Sequence, residues 1–264
     1  MDIAGFFYSL PSWVLFTFFV IVGILTTELG SFIGRRRFNQ GKKEPAAPIG
    51  TAVSAILGLL AFMLGFTFSI TASRYSERKG LVVSQTNAIG TSYLRAGLIP
   101  EKQRNSVRIL LREYTGLLLD LQNSSYAKNK FDRIDAIHFL LWEQAESLEN
   151  ENMPPAIQSL FIQSVNEIIN LSDQRKTVAL IYRIPNVLWS ALLLLTGMSM
   201  FAFGYQTGIN GSRRVYEAPL LPIAYGIVIV LIADMDSLSK DRFKISAEPL
   251  ENLQKMMQKN TPKQ

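Results

Sequence analysis

Four apolar blocks alternate with polar sequence along this chain. They are Leu10–Ile33, Ile49–Thr71, Val187–Tyr205 and Leu220–Ala233. A helix needs about 20 apolar residues to cross the hydrocarbon core of a bilayer. The first three blocks reach or approach that length, and the fourth falls short unless residues 216–221 extend it. The pattern therefore predicts a multi-pass membrane protein with four transmembrane helices.

The second block passes into polar sequence without a helix breaker. No proline lies between Pro48 and Pro100, although charged residues from Arg74 onward mark the end of the apolar run. One helix over this stretch would have about 52 residues and, at about 1.5 Å per residue, a length of roughly 78 Å. We predict this long helix. A kink at Gly80, Gly90 or Gly97 is the alternative, because glycine weakens a helix.

Residues 100–182 carry apolar side chains at steps of three and four, which is typical of amphipathic helices. Three such helices and the outer part of the long helix predict a bundle of about four helices. The predicted fold is an all-α membrane protein with this bundle inserted between spans two and three. The predicted domains are 1–74 (spans one and two), 75–184 (bundle), 185–236 (spans three and four) and 237–264 (polar tail). Within the tail, Leu250, Leu253 and Met257 indicate a short amphipathic helix.

Small residues form one face of the second span. They are Ser54, Gly58, Ala61, Gly65, Ser69, Ala72 and Ser76. Such a face lets two helices approach closely in lipid, so one interpretation is a helix–helix contact. The other is the lining of a pore in an oligomer, with an apolar constriction at Phe62 or Phe66. On that interpretation the pore-lining residues are Ser54, Gly58, Phe62, Gly65, Phe66 and Ser69, and the pore mouth carries Arg74, Arg78 and Lys79.

The net charge of +6 is concentrated in short loops. Arg35, Arg36, Arg37, Lys42 and Lys43 follow the first span, and Arg213 and Arg214 follow the third. Basic residues in short loops favour the cytoplasmic side. We therefore predict that both loops are cytoplasmic and that the bundle is not. No basic stripe with interleaved aromatic residues occurs, so nucleic acid is not an expected partner.

The chain offers little catalytic chemistry. It has no cysteine and one histidine, His138, which we interpret as a structural residue of a bundle helix. No phosphate-binding glycine loop or nucleophile motif occurs, and we predict no enzyme activity and no cofactor. Asp234 and Asp236 end the fourth span, which predicts a solvated helix exit. A cation contact is the alternative, and it requires the helix to have ended, because side chains two residues apart diverge on a helix.

Several short motifs resemble a bacterial membrane-protein family described as bestrophin-like. The densest set is Arg74-Tyr75, Arg78, Asn87-Ala-Ile-Gly-Thr91, Tyr93-Leu94-Arg95 and Pro100. Further matches are Leu141-Trp142, Asn166, Arg175, Arg183-Ile-Pro185, Gly204-Tyr205, Asp234-Met-Asp236, Ser246 and Pro249-Leu250. The family usually has an acid just before the asparagine, where this chain has Gln85 and Thr86. It usually has Arg-Pro after the aspartates, where this chain has Ser237 and Leu238.

The resemblance implies kinship to bestrophins, which are pentameric anion channels with a pore lined by the second span. Bestrophins place their helical domain in the cytosol, whereas the charge pattern here favours the other side. The first hypothesis is an oligomeric ion channel of the bacterial inner membrane, conducting small anions. Its expected partners are the lipid bilayer, small inorganic ions and further copies of the chain, up to the pentamer that the resemblance implies. The second hypothesis is a non-conducting sensor or scaffold whose bundle binds a partner.

Overall fold

The structure is a computed structural model that describes residues 5, 7, 10–41, 46–123, 128–180, 183–211, 219–237 and 243–259. These residues form helices and connecting turns, with no strand among them. The helices are α1 (Ser12–Asn39), α2 (Ala46–Arg95), α3 (Glu101–Asn123), α4 (Lys128–Glu146), α5 (Pro155–Leu180), α6 (Asn186–Ile209), α7 (Leu220–Asp236) and α8 (Glu248–Lys259). Short 3₁₀ turns follow α2 (Ala96–Leu98) and α4 (Ser147–Asn150).

The predicted long helix is confirmed. Helix α2 is continuous over 50 residues. Gly80 and Gly90 lie inside it, and Gly97 lies in the 3₁₀ turn beyond its end. The absence of proline between Pro48 and Pro100 is the physical reason, because proline is the residue that most strongly breaks a helix interior.

The chain divides into two compact units. The first unit comprises Met1–Tyr75 and Arg183–Phe243, and the second comprises Ser76–Tyr182 and Lys244–Gln264. Helix α2 contributes residues to both. The basic residues Lys42, Lys43, Arg213 and Arg214, on which the topology prediction depends, lie outside the described residues.

The first unit contains the apolar helices. Three helical segments are long and apolar enough to cross a membrane, namely Ser12–Asn39, Pro48–Leu98 and Asn186–Ile209. Helix α7 corresponds to the fourth predicted span but has only 17 residues. That is shorter than the about 20 residues that a perpendicular span needs, so the fourth span stays a prediction. The core of this unit is built from buried apolar side chains, including Leu15, Phe19, Leu60, Leu64, Trp189, Leu192, Ile229 and Val230.

Helices α1 and α6 pack with their backbones in close approach. A Cβ atom built on Gly30 would lie 2.1 Å from the carbonyl oxygen of Phe201, and one on Gly208 would lie 2.3 Å from that of Ser31. Only glycine fits at such positions, because any side chain would overlap the partner backbone. The pair therefore uses small residues as membrane helices commonly do. The sequence pattern predicts a small-residue face on the second span alone, so the close packing of α1 and α6 was not predicted.

The described residues of the second unit, for which we keep the name bundle, are helices that share a core of their own. Its buried side chains come from α2, α3, α4, α5 and α8, and include Ile89, Tyr93, Leu111, Tyr114, Ile137, Leu141, Phe161 and Val165. The predicted helix in the tail is confirmed as α8, and Leu250, Leu253 and Met257 are all buried in this core. The hydroxyl of Tyr93 donates a hydrogen bond to the carbonyl oxygen of Met257 at 3.2 Å. Residues 248–259 are thus part of the bundle core rather than only a polar tail.

Candidate functional site

The small-residue face of α2 is uncovered in the first unit. Ser54, Gly58, Ala61, Gly65 and Ser69 are exposed. Leu60, Leu64, Thr67 and Thr71 are buried, and at about 100° per residue they lie on the opposite side of the helix. Cβ atoms built on Gly58 and Gly65 would meet no atom within 4 Å. The protomer therefore packs one side of this helix and leaves the small side free.

Two phenylalanines lie beside that face. Phe62 is 68% exposed and Phe66 is 51% exposed. Their rings stack with centroids 6.4 Å apart and an interplanar angle of 13°. They are one turn apart on α2, so the pair forms a bulky apolar surface next to the small residues. This arrangement brings together the six residues that the sequence analysis selected.

The other apolar helices of the first unit expose mainly bulky side chains. The exposed side chains of α1 include Phe18, Ile21, Leu25, Leu29 and Phe32, and those of α6 include Val187, Leu194 and Met198. Several small residues of these two helices are buried, among them Gly23, Gly30, Ser199 and Gly204. Helix α2 also exposes bulky side chains, including Leu59, Phe62, Phe66 and Phe68, but small residues are exposed beside them.

The part of α2 in the second unit also has an exposed side with helical spacing. Ser76, Gly80, Val83, Asn87, Thr91 and Leu94 are exposed at steps of three and four residues. Their composition is more polar than that of the first part. Val82, Ile89 and Tyr93 are buried in the bundle core on the other side. Asn87 and Thr91 belong to the motif that carried the family resemblance, and both are on the exposed side.

The structure separates the three cations predicted for a pore mouth. Lys79 is exposed and, at about 100° per residue, falls on the same side of α2 as Gly65. Arg74 and Arg78 fall on the side of Leu60 and Thr67, and Arg78 is buried. Of the three, Lys79 alone therefore shares the uncovered small side of the helix.

Asp234 and Asp236 are both buried, so the prediction of a solvated helix exit is wrong. The Ser12 hydroxyl donates to Asp234 Oδ1 at 2.7 Å, and the backbone N–H of Ile184 donates to Asp236 Oδ2 at 3.2 Å. The carboxylates therefore hold the C-terminal end of α7 to the beginnings of α1 and α6. Helix α7 runs through both aspartates, and a cation contact there stays a prediction. Among the described residues no group of three or more metal-ligating side chains occurs.

The bundle contains a buried polar cluster that was not predicted from the sequence. The amide of Gln85 donates to the Tyr114 hydroxyl at 2.6 Å, and His138 Nε2 lies 3.3 Å from the same hydroxyl. Arg175 in turn donates to the carbonyl oxygen of Gln85. Burial raises the pKa of Tyr114 to about 12 and lowers the pKa of Arg175. The structural role predicted for His138 agrees with these contacts.

The signals for that cluster were present in the sequence. Gln85 is one of the two residues that precede Asn87, where the resemblance leads us to expect an acid, and Arg175 is one of the matching residues. The four positions come from α2, α3, α4 and α5, however, so no local pattern could join them. The cluster contains no activated nucleophile, since burial favours the neutral tyrosine, and it has the character of a structural network.

Comparison with known proteins agrees with the fold. A bestrophin-like domain model matches residues 18–250. A membrane-protein crystal structure is similar at 14% identity and a TM-score of 0.67, over 93% of this chain and 96% of that chain. A substituted bacterial bestrophin homologue from Klebsiella pneumoniae is similar at 14% identity and a TM-score of 0.64, over 94% and 98%. A bestrophin homologue of the same organism, phased by zinc anomalous scattering, is similar at 15% identity and 0.65, over 93% and 99%.

No curated protein matches this sequence. At such low identities the solved structures show a shared fold alone. The domain match covers most of the chain, including the exposed face of α2, the buried cluster and the aspartate pair. This protein therefore belongs to the bestrophin-like family of membrane proteins.

Proposed function

We propose that this protein is an oligomeric ion channel that conducts small anions through a pore lined by α2. The observation that carries the proposal is the uncovered run of small residues on that helix. Gly30 of α1 and Gly204 of α6 are covered by a neighbouring helix, whereas Ser54, Gly58, Gly65 and Ser69 of α2 are exposed. Small hydroxyl-bearing surface is poorly suited to lipid tails, and it fits the axis of an assembly.

Further copies of the same chain complete the pore in this proposal. The uncovered sides of α2 from several protomers surround a common axis, as the resemblance to pentameric bestrophins implies. Phe62 and Phe66 form an apolar constriction that excludes water when closed. A ring of Lys79 side chains raises the local concentration of anions, since one sign of charge in a confined opening focuses the electric field.

The location that accompanies this proposal is the bacterial inner membrane. Helix α7 serves as a fourth span, and its C-terminal aspartates accept hydrogen bonds from Ser12 and from the backbone of Ile184. The buried cluster of Gln85, Tyr114, His138 and Arg175 holds the bundle helices together around the outer part of α2. No catalytic role is assigned to any residue.

A flux assay on reconstituted liposomes tests the proposal. Wild type should pass chloride, Phe66→Ala should raise the passive leak, and Lys79→Ala should lower the preference for chloride over potassium. The effect of Lys79→Ala should shrink in high salt, because screening shortens the range of the charge. Phe32→Ala is the matched control, since Phe32 is an exposed phenylalanine of α1 among bulky side chains. It should leave the flux unchanged.

One result of this assay would contradict the channel proposal. If wild type and Phe66→Ala both match empty liposomes for chloride and potassium, the protein is not a channel under these conditions of lipid and salt. The non-conducting sensor or scaffold would then be the better assignment. If Phe66→Ala and Phe32→Ala show equal leaks, the constriction is not on α2, even if the protein conducts.

A further inference from the structure

Three arginines form a ladder on α3. Arg104, Arg108 and Arg112 follow one another at steps of four residues, so each lies about 6 Å further along the same side of the helix. All three are half-buried. We call these three residues the arginine ladder. Ladders of this kind are unusual unless acidic groups alternate with them, because like charges one turn apart repel each other.

The aromatic ring of Tyr93 supports two members of the ladder. The guanidinium carbon of Arg108 lies 4.9 Å from the ring centroid and that of Arg112 lies 5.8 Å away. Arg112 also donates to the Tyr93 hydroxyl at 2.9 Å. Tyr93 itself is completely buried, so its ring cannot move away from them. These contacts fix the direction of the side chains before any ligand is present.

No carboxylate of the described residues forms an ion pair with the ladder. Within the part of the chain that the structure describes, none of the three arginines has an acidic oxygen within 4.0 Å. The Nε atoms of Arg104, Arg108 and Arg112 are buried without a hydrogen-bond partner. Arg133 shows the contrast, since it pairs with both oxygens of Glu113 at 2.6 and 2.8 Å.

A purely structural role explains only part of the ladder. The Tyr93 hydroxyl donates to the carbonyl of Met257 near the C-terminal end of α8, so Arg112 lies where a cation favours the helix dipole. Arg104 lies about two turns before Arg112 on α3, so the helix dipole of α8 does not stabilise its charge in the same way. The remaining guanidinium donors need a different acceptor, and a guanidinium fork matches two oxygens of a phosphoryl group.

We propose that the arginine ladder binds an anion that carries several phosphoryl groups. Two neighbouring arginines are one helical turn apart, so a single phosphoryl group can accept from both. A chain of linked phosphoryl groups can engage all three. The chemistry is shared by soluble polyphosphates and by anionic lipids whose headgroup carries more than one phosphoryl group. This site is separate from the uncovered side of α2 and does not depend on ion conduction.

The test uses the full chain in nanodiscs of neutral phosphatidylcholine, titrated with sodium tripolyphosphate in a calorimeter at constant ionic strength. Arg104→Gln and Arg108→Gln should each weaken binding about tenfold or more, since each removes charge-assisted hydrogen bonds. Arg108→Lys should weaken it less, because it keeps the charge and loses the fork. Arg133→Gln is the matched control, since it removes the same charge from an arginine that already has a carboxylate partner. It should change the affinity less than twofold.

A second arm identifies the source of the phosphoryl group. Nanodiscs containing cardiolipin, whose headgroup carries two phosphoryl groups, should raise the melting temperature of wild type above that of Arg104→Gln and Arg108→Gln if a lipid headgroup is the ligand. If the lipid raises the melting temperature of wild type alone, the result supports the site even where tripolyphosphate does not bind. Two results would overturn it: neither probe distinguishing wild type from the ladder variants, or Arg133→Gln weakening binding as much as they do. A change in oligomer size in Arg108→Gln without probe binding would also overturn it, in favour of an acidic surface on a second copy.

Discussion

Gly204 of α6 lies directly against the backbone of Thr27 in α1. A Cβ atom built on Gly204 would come within 2.0 Å of the carbonyl oxygen of Thr27 and 2.8 Å of its carbonyl carbon. Real atoms do not approach this closely, so the two helices can keep their separation only with glycine at this position. The contact joins segments nearly two hundred residues apart in sequence, and it fixes the pairing of the first and third apolar helices.

Gly204→Ala should therefore destabilise the protein strongly. The methyl group must push α1 and α6 apart, and overpacking of this kind costs about 1–3 kcal/mol or more. The apparent melting temperature in detergent should fall by several degrees. Gly197→Ala in the same helix is the control, because a Cβ atom there meets nothing within 4 Å. Equal melting temperatures for the two variants would contradict the close packing.

Gly65→Leu should disrupt the proposed oligomer while leaving the single chain folded. The protomer has open space around Gly65, so leucine causes no overlap within it. At a shared axis or interface, by contrast, the larger side chain separates the neighbouring backbones. Light scattering or native mass spectrometry in detergent measures the assembly, and Gly197→Leu controls for an added leucine on a different span. If the oligomer stays intact with Gly65→Leu, the small face of α2 is not part of the interface.

How much of this structure could be predicted from sequence depends on the range of each interaction. The long helix was predictable because an unbroken run from Pro48 to Pro100 contains its own signal. The burial of Leu250 and Leu253 was predictable in the same way, from spacing within one short helix. The exposed face of α2 was also visible as a pattern, although the sequence left its role open between packing and pore lining.

The rest depended on contacts between distant segments. Gly30 and Gly204 look unremarkable until α1 and α6 are brought together, because glycine is common in membrane helices for several reasons. Asp234 was placed in solvent because a charge usually marks the end of a span. Its partner, Ser12, is more than two hundred residues away in the chain. A partner that is distant in sequence produces no local sequence pattern. Without knowledge of that partner, the burial of a polar group cannot be inferred.

The two short basic loops should be cytoplasmic and the bundle should not. The protein lacks cysteine, so single cysteines report the side of the membrane without background. Gln40→Cys follows the first span, and Asn105→Cys lies on an exposed position of α3. An impermeant thiol reagent applied to spheroplasts should label Asn105→Cys and spare Gln40→Cys until the membrane is opened. The reverse pattern would place the bundle in the cytoplasm, as in bestrophins.

Acidification should destabilise the bundle through His138. Burial lowers the pKa of His138, and the positive charge of Lys176 lowers it further, while Asp135 and Asp173 act in the opposite direction. Its Nε2 atom lies 3.3 Å from the Tyr114 hydroxyl, and its other nitrogen lies 4.0 Å from Asp135. The unfolded chain takes up a proton near pH 6.5, whereas the folded chain does so only at lower pH. Between these values the unfolded state binds more protons, so stability is complete above about pH 6.5 and declines as the pH falls through the pKa of the folded state.

The measurement is the apparent melting temperature between pH 7.5 and 5.5 for wild type and His138→Gln. Wild type should lose stability over this range, and His138→Gln should lose less, because the glutamine amide still reaches Tyr114 but does not titrate. His138 is the only histidine in the chain, so no other imidazole contributes to the difference. The surface carboxylates remain largely ionised across the interval, which keeps their contribution similar in both proteins. Parallel pH profiles for the two proteins would show that the buried ring takes up its proton at no cost to the fold. In that case the charged ring must donate to the Tyr114 hydroxyl without loss of the contact.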